Sequence, residues 1–337
     1  MFKTLKEAFR NKDIRIKIFI VLGLLVLFRL GCWIPVPGIG AVVFERSVND
    51  QTFLSLLSGI SGGALSNGAI LALGVSPYIT AQIVVQLLSM AIPSWERLSK
   101  EGEEGKKKLT KYTKVLTLIL ATAQAIGIVV SFASKSAVVD GNTVYGINAS
   151  LFGGISWLTS AVVVMVLVAG AMFTMWLGEK ITETGIANGL SLLIFVGILS
   201  TAGTAIYQSI VESTNDPAKI WQLIAFMVAL IIIFSMIVLM DGAERKVPVQ
   251  YAKQVRGRKM YGGQSTNIPI KLMGTGVLPI IFAMSLLSFP QIVMSIFWPT
   301  SSAATWYNQH LGAGSWAYSV IVGILILFFA YFTSYMS

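Results

Sequence analysis

Eight apolar stretches dominate the sequence, and each is long enough to cross a bilayer as a helix. A membrane-spanning helix needs about 20 mostly apolar residues. The stretches are Ile18–Ile34, Ala69–Ile92, Val115–Ala133, Trp157–Leu177, Ile186–Tyr207, Ile220–Met240, Gly276–Trp298 and Trp316–Met336. Only 12% of the residues are charged, whereas a soluble domain carries roughly 25%. The sequence therefore predicts an all-α membrane protein that forms one multi-span helical bundle over residues 1–337.

The cationic residues indicate which loops face the cytoplasm. The net charge is +10. Lys and Arg number six in 1–17, seven in 93–114, one in 178–185 and seven in 241–271, against three in the loops of the opposite side. Because cytoplasmic loops carry the excess of Lys and Arg, we expect a cytoplasmic N-terminal segment at 1–17. The loops 93–114 and 241–271 are then the two basic cytoplasmic loops.

Several kinds of chemistry are poorly supported by the sequence. The only charged residue inside the eight stretches is Arg29, which either snorkels to the interface or bonds a neighbouring carbonyl. One cysteine and one histidine cannot form an internal disulfide or a Cys/His zinc cluster. The sequence also lacks paired carboxylates, a Ser/His/Asp set and an HExxH motif. We therefore expect a protein that is not an enzyme and that has no metal or other cofactor.

The segment 53–67 is too short and glycine-rich to cross the bilayer, yet too apolar for a free loop. Irregular backbone at membrane depth is tolerated only where protein or a water-filled cavity covers it. The pattern therefore predicts a re-entrant short helix that enters from the external side. The alternative is an amphipathic surface loop. Just beyond it, Gly74 and Pro77 interrupt the second apolar stretch.

The loop 241–271 has the pattern of a projecting hairpin. VPVQYA alternates in polarity, RGRK at Arg256–Lys259 is a turn, and a second extended stretch begins at Met260. The cationic tip suits RNA phosphates, acidic lipid headgroups or an acidic protein surface. The alternative is that these charges only set the membrane topology.

Five runs of sequence, in order along the chain, resemble the SecY family of protein-translocation channels, in particular its bacterial branch. They are RLGCWIPVPGIG (29–40), LALGVSPYITAQIVVQLL (71–88), KEGEEGKKKLTKYT (100–113), WLGEKITETGIANGLSLLIF (176–195) and YAKQVRGRKMYGGQSTNIPIK (251–271). The resemblance implies a SecY-type bundle that conducts unfolded secretory polypeptides and releases apolar segments sideways into lipid. It also implies a bacterial cell (inner) membrane location and a set of partners. These are the SecE and SecG small membrane subunits, the SecA motor, the ribosome with rRNA contacts through 241–271, signal peptides, nascent polypeptides and membrane lipids.

The resemblance also assigns roles to individual residues. A pore ring of aliphatic side chains would be Val75, Ile79, Leu190, Ile194 and Ile281. A plug at 53–67 would contain Phe53, Leu54, Leu57, Ile60 and Leu65. A lateral gate would contain Thr80, Gln82, Gln86, Gln124, Ser285 and Phe289. Ribosome or motor docking would use Arg256, Arg258 and Lys259. From the residues alone, ordinary helix packing is the favoured interpretation of each ring position, and only the resemblance reverses it.

The chain departs from the family in its number of spans. The family has ten, arranged as two inverted five-span halves, whereas the sequence predicts a first half at about 1–207 and an incomplete second half at about 220–337. We therefore expect a chain that lacks the two C-terminal spans. Two other hypotheses stay open here: a secondary transporter for a small solute built on broken helices, and a membrane scaffold that recruits partners through the basic hairpin.

Overall fold

A computed structural model describes most of the chain. It covers residues 10–50, 58–133, 135–139, 142–148, 156–215, 218–249, 254–256, 259–261, 266–271 and 315–336, together with Leu54 and isolated positions between 279 and 311. The helices are α1 (Lys12–Gly31), α2 (Ala41–Asp50), α3 (Ser76–Ala91), α4 (Pro93–Lys100), α5 (Glu103–Ala133), α6 (Ser156–Glu183), α7 (Gly189–Asn215), α8 (Ala218–Asp241) and α9 (Trp316–Met336). The strands are β1 (Ser136–Val139), β2 (Asn142–Tyr145), β3 (Glu244–Val249), β4 (Gln254–Arg256), β5 (Lys259–Tyr261) and β6 (Thr266–Lys271).

Within the described residues, five helices are long and apolar enough to cross a membrane, namely α5 to α9. They coincide with the third, fourth, fifth, sixth and eighth predicted stretches. A sixth span results if α3 and α4, which meet at a bend of 104°, are counted together. The first stretch lies mostly on α1, and the seventh lies largely outside the described residues. The multi-span helical class is confirmed, and the count of eight spans stays a prediction.

The second apolar stretch is not a continuous helix. Residues 61–75 form turns, and α3 begins only at Ser76, with Pro77 in its first turn. Gly74 has a φ of +54°, a left-handed conformation that glycine adopts without steric cost. Proline is tolerated in the first turn because its missing N–H would have no helical partner there. The predicted break at these two residues is confirmed, and it delays the helix by seven residues from Ala69.

The chain divides into two compact units, and the first consists of 1–204 and 284–322. Its core contains two clusters of buried side chains. One joins α2, α5 and α6, where Phe44 stacks on Phe132 with ring centroids 4.1 Å apart. The other joins α1, residues 64–75, the end of α6 and the start of α7, around Phe28 and Leu177. The irregular segment between α2 and α3 contributes to both clusters, so it is an integral part of this unit.

Polar contacts fix the ends of helices in the first unit. Lys114 on α5 donates to Glu179 on α6, with Nζ and Oε2 2.7 Å apart. The backbone N–H of Gly189, the first residue of α7, donates to the Thr182 hydroxyl at 2.9 Å. On α4, the hydrogen bond from Lys100 lowers the pKa of the Glu96 carboxyl, and the lysine charge adds to this effect. The pairing is therefore complete above the ordinary pKa of Glu96 and is lost as the pH falls through the lowered value.

The second unit consists of 205–283 and 323–337. It contains α8, and none of the residues in the apolar part of this helix is buried within the chain. An apolar helix exposed on every side is typical of contact with lipid or with another membrane chain. The strands β3 and β6 pair antiparallel, and so do β4 and β5, which lie between them in sequence. These ladders agree with the hairpin predicted for 241–271.

Candidate functional site

The segment between α2 and α3 is a folded, buried element rather than a surface loop. Among described residues from 58 to 75, only Asn67 is exposed. Leu65 is buried in the core of the first unit, and Leu54 packs against the same cluster. The alternative of an amphipathic surface loop is therefore wrong. The helical part of this segment is shorter than predicted. Among the described residues only Leu54 and 58–60 are helical, because the glycines that follow favour turns.

Hydroxyl groups and the preceding chain hold this segment together. The Ser58 and Ser66 hydroxyls are 3.0 Å apart, and the Ser61 hydroxyl donates to the Ser58 carbonyl at 3.1 Å. The segment is also joined to the chain that follows α1. The Val36 N–H donates to the Gly68 carbonyl and the Ile70 N–H donates to the Ile34 carbonyl, both at 2.9 Å. The segment therefore has a defined resting position.

The middle of the segment lies against α1 and α7. Arg29, in the last turn of α1, donates from Nη1 to the Gly62 carbonyl at 2.9 Å and from Nη2 to the Ser200 hydroxyl. The Thr201 hydroxyl lies 3.2 Å from the Gly59 carbonyl oxygen and shares its single hydrogen between this acceptor and the Ile198 carbonyl of its own helix, 3.0 Å away. Of the two expectations for Arg29, bonding to a neighbouring carbonyl is confirmed. Two elements that are far apart in sequence thus hydrogen-bond the backbone of one short segment.

Close backbone packing adds to these hydrogen bonds. At Gly197 on α7, a side-chain Cβ would collide with the Ile60 carbonyl oxygen and would lie 3.2 Å from the Gly62 nitrogen. Nearby, the Cys32 thiol lies 3.6 Å from the Ser61 carbonyl oxygen and is fully buried. We call residues 58–66 with their contacts to Arg29, Gly197, Ser200 and Thr201 the clasped segment.

Four of the five predicted ring residues lie in one aliphatic cluster. Val75 is buried, and Ile79, Leu190 and Ile194 are half-buried against the same cluster of buried side chains. Val75 immediately precedes α3, and its carbonyl accepts the Ile79 N–H at 3.1 Å. Ile281 lies outside the described residues. The same cluster contains Ala64 of the clasped segment, so the two features are in contact.

Of the predicted gate residues, the structure describes only those on α3 and α5. The two helices pack against each other. Gln82 is exposed, and Thr80, Gln86 and Gln124 are half-buried. The Thr80 hydroxyl donates to the Ser76 carbonyl of its own helix at 3.1 Å. Ser285 and Phe289 lie outside the described residues.

The remaining predicted positions belong to the hairpin tip and to the plug. Arg256 and Lys259 are direct partners in the β4–β5 ladder, so both stand at the tip of the hairpin. Arg258 lies outside the described residues, as do the plug positions Phe53 and Leu57. The remaining plug position, Ile60, is half-buried in the clasped segment.

Comparison with known proteins identifies the family. A sequence profile of SecY matches residues 69–337. The chain belongs to the SecY family. The protein translocase subunit SecY of Streptomyces coelicolor is 37% identical over 338 residues, which cover 98% of this chain and 76% of the relative. Because the relatives are translocase subunits, the secondary-transporter and scaffold hypotheses lose their support.

Solved SecY and Sec61 structures have the same fold. One, described as showing that the plug domain of SecY stabilises the closed state of the translocation channel, aligns with a TM-score of 0.56 at 21% identity, over 83% of this chain and 57% of that one. Sec61 in a canine ribosome–channel complex aligns with a TM-score of 0.56 at 20% identity, over 84% of this chain and 59% of that one. The chain thus spans less than two thirds of these channel chains.

Three residues that contact the clasped segment were not among the predicted site residues of this SecY-family chain. They are Gly197, Ser200 and Thr201, all on α7. Their signal in the sequence is weak, since glycine, serine and threonine are common in membrane helices. The stronger signal was Arg29, the one charged side chain within the apolar stretches. A charge at that depth needs polar partners, and α7 supplies one of them.

Proposed function

We propose that this chain is the central pore-forming subunit of a Sec translocon, which conducts unfolded secretory polypeptides across the membrane and releases apolar segments sideways into lipid. The observation that carries the proposal is the clasped segment, a buried irregular element beside an aliphatic cluster. Irregular backbone is tolerated inside a membrane protein where protein or a cavity covers it. As a plug at 53–67, it would close the channel until a polypeptide displaces it. We expect no catalytic step.

The aliphatic cluster supplies the chemistry that a pore ring requires. In this proposal Val75, Ile79, Leu190, Ile194 and Ile281 surround the narrowest point. Apolar constrictions gate by dewetting, so the ring would exclude ions when the pore is empty. Aliphatic side chains form no hydrogen bonds with a passing polypeptide. The ring would therefore fit cargo of any sequence loosely.

The lateral gate would lie beside α3 and α5. Gln82, Gln86, Gln124 and Thr80 would line one side of the seam, and Ser285 and Phe289 the other. Hydrogen bonds between membrane helices are worth about 0.6–2 kcal/mol each. A seam closed by a few such bonds is weak enough for an apolar signal peptide to open it.

The partners and location in this proposal follow from the family. The chain would work in the bacterial inner membrane with its N-terminus in the cytoplasm, together with SecE and SecG. The ribosome or the SecA motor would dock on the 241–271 hairpin. Support for docking comes from the register that sets Arg256 opposite Lys259. Cationic side chains at such a tip suit the phosphates of rRNA.

Photo-crosslinking tests the channel directly. Photoreactive residues are placed at Val75, Ile79 and Leu190 in the full-length protein, reconstituted with its membrane partners and an arrested secretory polypeptide. The matched control is Val26, an exposed position on α1. We expect the first three positions to crosslink the polypeptide and Val26 to crosslink lipid. Crosslinks from all four positions to lipid or neighbouring helices alone would contradict the proposal.

Charge reversal at the hairpin tip tests docking. We expect Arg256→Glu combined with Arg258→Glu to weaken ribosome binding. The plot of log affinity against log salt concentration has a negative slope. If both arginines contact rRNA phosphates, their loss should make this slope shallower by about 1–2 units, which covers the values for single- and double-stranded nucleic acids. The matched control is Lys106→Glu with Lys107→Glu in the other basic loop. An unchanged salt slope for the hairpin variant would exclude docking of the ribosome through these two arginines.

A further inference from the structure

We propose that Arg29 is the positioning residue that holds the plug in its closed position. The inference rests on the proposed function, because it assumes that the clasped segment is the plug. Its guanidinium joins two elements at once: one nitrogen donates to the Gly62 carbonyl and the other to the Ser200 hydroxyl of α7. The plug is thereby tied both to the end of α1 and to the middle of α7.

The charge of Arg29 makes this tie stronger than an ordinary hydrogen bond. The four ion pairs found among the described residues do not include Arg29. Its partners are a neutral carbonyl and a neutral hydroxyl, and its guanidinium carbon lies 5.9 Å from the centre of the Trp33 ring. Hydrogen bonds from an ionised donor are roughly twice as strong as neutral ones. Withdrawal of the plug would leave this partly buried charge without its carbonyl partner.

The shape of the site fits arginine in particular. The planar guanidinium presents several donors in a fixed fork, so it can bond two elements simultaneously, whereas a lysine ammonium is a point charge on a flexible stem. Gly62 completes the fit. Its φ of +71° favours glycine, and a Cβ at this position would collide with Nη1 of Arg29. The plug thus presents a bare carbonyl at the place that the arginine reaches.

The tie gives a route from helix movement to plug release. Ser200 shares the guanidinium with Gly62, and the neighbouring Thr201 hydroxyl lies within hydrogen-bond distance of the Gly59 carbonyl oxygen, at 3.2 Å. A shift of α7 away from α1 would break the Ser200 and Thr201 contacts together. The plug would then keep only its contacts on the side of α1, among them the hydrogen bond from Arg29. Movement of α7 would therefore lower the cost of opening.

The test measures plug release in two ways, on the full-length protein reconstituted with its membrane partners. The first is ion conductance. The second is the rate at which a water-soluble maleimide labels Cys32, in a background where Cys32 is the sole cysteine. Cys32 reports on the plug because it is fully buried and contacts the Ser61 carbonyl. A variant that lacks residues 54–65 sets the values for an absent plug.

We expect Arg29→Leu to raise both the conductance and the labelling rate by about 10-fold, as loss of a charge-assisted hydrogen bond predicts. Arg29→Lys should give an intermediate increase, because it keeps the charge but not the fork. Ser200→Ala with Thr201→Val is the milder variant and should raise both readouts without removing a charge. The control is Arg46→Met, which removes an exposed cation outside this site.

The outcomes separate the two proposals. If the 54–65 deletion raises both readouts while Arg29→Leu and the Ser200/Thr201 variant match the wild type, the plug stands and the role of Arg29 is refuted. If the deletion itself leaves the conductance unchanged, the plug assignment fails and the role of Arg29 fails with it. Equal effects of Arg29→Leu and Arg46→Met would show a general response to charge and would also refute it.

Discussion

Gly197→Ala is expected to raise the ion conductance of the reconstituted closed channel by about 10-fold or more. The added methyl group would collide with the Ile60 carbonyl oxygen of the clasped segment and approach the Gly62 nitrogen. Both of these atoms belong to the backbone, so no flexible side chain can move aside to make room for the methyl group. Overpacking of this kind costs about 1–3 kcal/mol. In the proposed function the clasped segment is the plug, so the clash would exist only while the segment is seated and should shift the equilibrium towards the open state.

A second glycine on the same helix provides a matched control. Gly203 has no heavy atom within 4 Å of the position that a Cβ would occupy. Alanine is favoured over glycine in a helix by roughly 0.5–1 kcal/mol, so Gly203→Ala should leave the conductance unchanged and α7 slightly more stable. Conductance is measured in planar bilayers beside thermal unfolding of both variants. A Gly197→Ala protein that melts like the wild type and does not leak would show that the clasped segment does not seal the pore.

The sequence was sufficient for the helices because their signal is local. Long apolar runs such as 220–240 lead to one structure in a membrane, where the backbone must satisfy its own hydrogen bonds. The hairpin was predictable for a similar reason: polarity alternates along VPVQYA and a turn lies between the strands. The break at Gly74 and Pro77 followed from the backbone properties of those two residues. Each of these features depends on neighbours in the chain.

The clasped segment was only partly predictable because its contacts are distant in sequence. Arg29 and Ser200 are 171 residues apart, and Thr201 is 142 residues from Gly59. The pattern at 53–67 indicated that protein or a water-filled cavity covers the segment, but it could not say which helices contact it. The expected short helix is found only at Leu54 and 58–60 among the described residues, since turns follow at 61–67. The aliphatic ring needed the family resemblance, because an apolar residue on a helix is more often simple packing.

Locking the plug should have an effect opposite to that of the Gly197 variant, and it should abolish transport. Cys32 and Ser61 are both buried, and the Cys32 thiol lies 3.6 Å from the Ser61 carbonyl. The closeness of the thiol to the backbone of residue 61 makes Ser61→Cys the partner to test for a disulfide with Cys32 under mild oxidation, a bond that needs the two Cβ atoms about 3.5–4.5 Å apart. The bond would fix the plug to the chain that follows α1, so translocation of a secretory polypeptide into proteoliposomes should fall to background. A reducing agent should restore it, because nothing else in the channel has changed.

The matched control for the lock is Ser61→Cys combined with Cys32→Ala, which has one thiol and no partner. It should transport equally well with and without oxidant, whereas the paired variant should respond to each cycle of oxidation and reduction. Mass spectrometry of the peptides that contain positions 32 and 61 gives the fraction crosslinked, and the loss of transport should follow that fraction in proportion. Normal transport by a fully crosslinked protein would mean that the polypeptide passes without displacing residues 58–66. The path would then have to avoid the clasped segment, and the closed state would depend on the aliphatic ring alone.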